Sequence, residues 1–67
     1  MTSDRQGGFP AMRVVVADDH PVFRDGLAMI LTERGIEVVA EVASGQEALD
    51  AATAYHPDVV LMDLTMP

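Results

Sequence analysis

Cysteine is absent from these 67 residues, so neither a disulfide framework nor a thiolate metal site is available, and the chain suits a reducing compartment. Lysine is absent too. Four arginines face eleven aspartates and glutamates, a net charge of −7. Such a chain repels phosphate backbones, which argues against direct nucleic-acid binding by this segment. No apolar run approaches the roughly 18–20 residues of a membrane span. The first eleven residues lack the basic start and apolar stretch of a secretory signal. A soluble cytoplasmic protein with no membrane role is the expectation. The length allows one small domain, near the lower limit for a self-sufficient core.

What is present has a clear order. Residues 1–11 carry Gly7, Gly8 and Pro10 without an apolar period and read as a disordered tail. Residues 12–67 form the structured part. Val14 to Ala17 is a β-branched run that does not alternate, so both of its faces should be covered, as in a parallel strand. His20-Pro21 opens a helix with Pro21 in the first turn. Phe23, Leu27, Ile30 and Leu31 fall on one face of that helix, and Gly35 is placed to end it in the left-handed conformation. Ile36 to Val42 reads as a second strand. Ser44-Gly45-Gln46-Glu47 reads as a capping box, in which Ser44 caps and Glu47 reaches back to the Ser44 amide. The second helix runs to His56-Pro57. Val59 to Met62 is a third apolar run, closed by Asp63. Strand-helix-strand-helix-strand implies parallel strands, right-handed crossovers and a doubly wound α/β sheet.

Two strand ends carry the chemistry. Asp18 and Asp19 follow the first strand, and Asp63 follows the third. Open α/β sheets bind ligands beyond the carboxyl ends of their strands, where the strand order reverses. In an order 2-1-3, the three carboxylates converge there. Carboxylates held together repel unless protonated or bridged by a cation. Hard oxygen donors in small number suit Mg²⁺, and a carboxylate beside it can attack phosphorus. The plainer alternatives stay open. Asp19 could simply cap the first helix, and Asp25 and Asp58 read as turn or cap residues. His20 invites a reading as metal ligand or phosphohistidine, but the simpler role is a helix start. Arg24 reads as a solvated helix residue. Met12, Met29, Met62 and Met66 read as packing.

Val14-Val15-Val16-Ala17-Asp18-Asp19-His20-Pro21, followed by Arg24-Asp25-Gly26-Leu27, resembles the opening of response-regulator receiver domains. The likeness is to the NarL/FixJ type, whose output is a helix-turn-helix DNA-binding domain. Pro57-Asp58-Val59-Val60-Leu61-Met62-Asp63-Leu64-Thr65-Met66-Pro67 resembles the segment around that family's phosphorylated aspartate. The resemblance spans Met12 to Pro67 and implies a flavodoxin-like (CheY-like) fold, here truncated after the third strand. It implies Asp63 as phosphoacceptor in a two-component system, with Mg²⁺ held by Asp18, Asp19, Asp63 and the backbone carbonyl of Thr65. It implies a sensor histidine kinase as donor and a parent protein that regulates transcription. The family's phosphate-binding Ser or Thr and its Lys belong to later segments that are not present.

Two rival readings remain. A Mg²⁺-dependent phosphohydrolase of the haloacid-dehalogenase kind would carry a second Asp two residues after its nucleophile, where this chain has Thr65. The other rival is an interaction module with an inert acidic pocket. A three-stranded order 2-1-3 would also leave the apolar third strand on an edge without lysine or proline to guard it. Self-association through that edge is expected.

Overall fold

The computed structural model describes residues 11–63. The tail expected over residues 1–11 therefore lies almost wholly outside the described residues, as does Thr65. The elements are β1 (Arg13–Asp18), α1 (Pro21–Glu33), β2 (Glu37–Val42), α2 (Gly45–Tyr55) and β3 (Val59–Asp63). All pairings are parallel, in the order β2-β1-β3. The chain steps from β1 to β2 in one direction and from β2 back past β1 to β3 in the other. Right-handed crossovers then place α1 and α2 on opposite faces. The burial of β1 agrees with cover on both faces. Val14, Val15, Val16 and Ala17 point alternately to the two sides, and all four are buried.

The helices begin and end largely where their residues dictate. Pro21 sits in the first turn of α1, where a missing N–H costs nothing. At the far end Gly35 takes φ +85°. Its amide bonds Thr32 O at 3.0 Å, and the Ile36 amide bonds Leu31 O at 3.0 Å; these are the two bonds of a Schellman motif. That motif shifts the second strand by one residue. Ile36 spends its amide on the helix, so β2 starts at Glu37, whose amide bonds Met12 O at 2.8 Å. At α2 the Ser44 hydroxyl accepts the Glu47 amide at 3.1 Å, as a capping box requires. The reciprocal bond differs from expectation: the Glu47 carboxylate accepts the amide of Ala43, at 2.8 Å, not that of Ser44. Helix α2 ends on His56 at φ 51°. Its last carbonyls, of Tyr55 and His56, accept the Arg13 guanidinium at 2.6 and 3.1 Å, which sets a cation against the negative end of the helix.

Asp58 fastens the start of the sheet. Its carboxylate accepts the Arg13 amide and its own amide donates to Arg13 O, both at 2.8 Å. Asp25 does not have the turn or cap role expected of it; it lies inside α1. The apolar face anticipated for α1 is also covered less than expected. Ala28 is its buried residue, Leu27 and Leu31 are half-buried, and Phe23 and Ile30 are about half exposed at 54% and 50%. Helix α1 rests on β1 and β2, and part of its apolar stripe is left uncovered by the described residues. No helix among the described residues is long and apolar enough to cross a membrane.

Candidate functional site

The register of β1 with β3 decides where the acids meet. Val14 pairs with Val59, and in step with it Asp18 pairs with Asp63. Adjacent strands stand about 4.8 Å apart, so the two aspartates are neighbours on the carboxyl edge of the sheet. Each is the last residue of its strand rather than the first of the following loop. Both line a cleft of about 260 Å³, walled by Ala17, Phe23, Leu27, Leu61 and Met62. The cleft thus has an acidic mouth and an apolar wall.

Asp18 is 1% exposed. Its Oδ1 accepts the His20 amide at 2.8 Å. Its Oδ2 is buried without a hydrogen-bond partner. A buried carboxylate oxygen with no donor is costly, and a cation on that edge would relieve it. Asp19, on the turn into α1, is partly exposed. His20 occupies the helix-start position expected of it, as the N-cap of α1, although its side chain makes no capping bond. Its ring instead turns back on the acids. Nδ1 lies 3.1 Å from Asp18 Oδ1 and 3.0 Å from Asp19 Oδ1. Among the described residues, Asp18, Asp19 and His20 form a group whose ligand atoms all fall within 4.8 Å of one another. Asp63 stands outside that group, joined to it through its pairing with Asp18.

Arg24 is not the solvated residue anticipated. Its side chain is 19% exposed, and Nη1 donates to the backbone carbonyl of Asp18 at 3.0 Å. Its Nε lies 4.0 Å from Glu41 of β2. Burial and the adjoining Asp25 carboxyl push the Glu41 carboxyl above its usual range, partly offset by Arg24. Arg24 thereby ties the end of β1 to α1 and β2. The signal for it was in the sequence: a cation one helical turn after His20-Pro21 can reach back to the end of the preceding strand.

Against this geometry, residues 14–67 match the model of the response regulator receiver domain. The chain belongs to that family. Its type is that of the NarL and NreC receivers. It is 53% identical over 57 residues to the oxygen regulatory protein NreC of Staphylococcus aureus, in strains JH9 and USA300 alike. That match covers 84% of this chain and 26% of each relative. Among solved structures it resembles the signal receiver domain of NarL from Mycobacterium tuberculosis, with a TM-score of 0.77 and 45% identity. The likeness covers 87% of this chain and 48% of the other. This receiver chain therefore spans about a quarter of the curated relatives' length and about half of that solved domain.

Proposed function

We propose that Asp63 accepts a phosphoryl group, with Mg²⁺ held by Asp18, Asp19, Asp63 and the backbone carbonyl of Thr65. The observation that carries this reading is the pairing of Asp63 with Asp18 at the mouth of one cleft. The donor set is oxygen-rich, as Mg²⁺ prefers, and the unpartnered Asp18 Oδ2 fits a cation. When bound, the ion would neutralise charge on the transferring group. The chain's own residues do the rest. A carboxylate oxygen of Asp63 attacks phosphorus. The nitrogen–phosphorus bond of a phosphohistidine on a sensor kinase breaks, and the imidazole nitrogen leaves with the electron pair. Asp63 becomes an acyl phosphate, and Phe23, Leu27, Leu61 and Met62 line the cleft beside it. The module signals rather than turning over substrate.

The parent protein, on this reading, is cytoplasmic and regulates transcription through DNA contacts made outside this acidic segment. The 67-residue chain by itself associates through the outer edge of β3. Acetyl-phosphate labelling followed by intact mass tests the phosphoacceptor. The full-length protein should gain one phosphoryl group, and Asp63→Asn, which keeps the shape but loses the nucleophilic oxygen, should gain none. Labelling of the variant at the wild-type rate would refute the assignment.

A further inference from the structure

We infer that His20 is a nitrogen ligand at the acidic pair, and that it makes this site selective for divalent cations that accept imidazole, such as Co²⁺, Ni²⁺ and Zn²⁺. The inference deepens the proposed metal site and rests on that reading. One feature points to a cation here, and a second puts the ring beside it. Asp18 is buried, with Oδ2 unpartnered, and His20 Nδ1 approaches one oxygen of each carboxylate, at 3.1 and 3.0 Å. In an octahedral shell with bonds of about 2.0–2.1 Å, neighbouring ligand atoms lie about 2.9 Å apart. The ring nitrogen therefore sits at about the spacing of an adjacent corner from each carboxylate oxygen, and all three donors fall within 4.8 Å of one another. Asp18 and Asp19 flank the position their neighbour's ring needs, and the His20 amide bond to Asp18 Oδ1 fixes the backbone that carries it.

An all-oxygen site suits Mg²⁺, whereas an imidazole adds most for Co²⁺, Ni²⁺ and Zn²⁺. His20 then separates two classes of ion at one site. It contributes to the nitrogen-accepting metals and leaves Mg²⁺ almost untouched. The alternative is that Nδ1 merely donates a proton to the two carboxylates, in which case its removal treats all cations alike.

Calorimetric titration of the full-length protein with MgCl₂ and with CoCl₂ distinguishes these cases, using wild type, His20→Asn and His20→Ala. Asn is a good N-cap, so it keeps the helix start while removing the imidazole. Both variants should lose on the order of tenfold or more in Co²⁺ affinity and stay within about twofold for Mg²⁺. The Co²⁺ complex of the wild type should show His20 ring protons shifted far outside the diamagnetic range in NMR. Equal losses for both ions, or no loss of Co²⁺ affinity, overturns the inference while leaving the acidic site intact. A wild type that binds neither ion overturns the inference and the Mg²⁺ reading together.

Discussion

At the scale of single residues, the site carries a cost in the absence of a cation. Asp18 holds a carboxylate in the sheet with one oxygen unsatisfied, and leaving a buried acceptor without its donor costs about 1–3 kcal/mol. Asp18→Asn removes this buried negative charge beside Asp19 and keeps an acceptor for the His20 amide, so it should raise the stability of the metal-free protein by about 1 kcal/mol while weakening Mg²⁺ binding. Chemical denaturation with and without chelator checks it, and a destabilised Asn variant in chelator would contradict it. Glu41 makes the second residue-scale prediction. Its folded pKa is raised above the ordinary 4.5, so the folded form holds this proton more tightly than the unfolded form. Stability from this group is present below 4.5 and falls as pH climbs through the raised value. Glu41→Gln should thus melt higher than wild type at neutral pH and lose that advantage below 4.5. Partial exposure of Glu41 keeps the difference small. The acids were legible in the sequence because doubled Asp at one strand end and a third at another is an uncommon pattern. The turn of the His20 ring back onto the acids was not, because it depends on how a side chain settles after the backbone has folded, whereas Arg24 left a signal in its spacing from His20-Pro21.

At the scale of elements, the local rules were readable and the hand-offs between elements were not. Pro21, Gly35 and Ser44 acted as their chemistry requires. The start of β2 moved because one amide, that of Ile36, had two claimants and the helix end took it. The capping box displaced its return bond to Ala43 for a reason of geometry that the residue types do not encode. The end of α2 carries its own prediction. His56 holds a left-handed backbone at φ 51°, which costs a residue with a Cβ about 1 kcal/mol or more. His56→Gly should stabilise the protein by about 1 kcal/mol, since the carbonyl that Arg13 reaches is backbone and is retained. His56→Val should destabilise it. A thermal melt of both variants reads the signs directly.

At the scale of the whole molecule, the order β2-β1-β3 followed from alternation together with the family resemblance. The incomplete cover of α1 did not follow. Periodicity says which face of a helix is apolar, but not how far the partner surface extends beneath it. Here Phe23 and Ile30 remain about half exposed, and Val59, Leu61 and Met62 of β3 are exposed as well. An apolar edge strand is a template for pairing. Light scattering on the 67-residue chain alone should give a mass above that of a monomer and rising with concentration. A sharply melting monomer at high concentration would contradict the proposed self-association.

The Asp58 clasp has a kinetic meaning as well. Arg13 and Asp58 lie 45 positions apart, and the same offset joins Asp18 to Asp63 at the opposite end of the strands. Closing so long a loop is entropically slower than the local steps that build β1, α1 and β2. The β-α-β first half of the chain can therefore acquire its helix, its Schellman turn and even its Asp18–His20 contact while Asp63, the proposed phosphoacceptor, is still remote. On the proposed reading, competence arrives with the last long-range pairing, so a nascent or partly unfolded chain is silent: it could not be charged until its two halves had met.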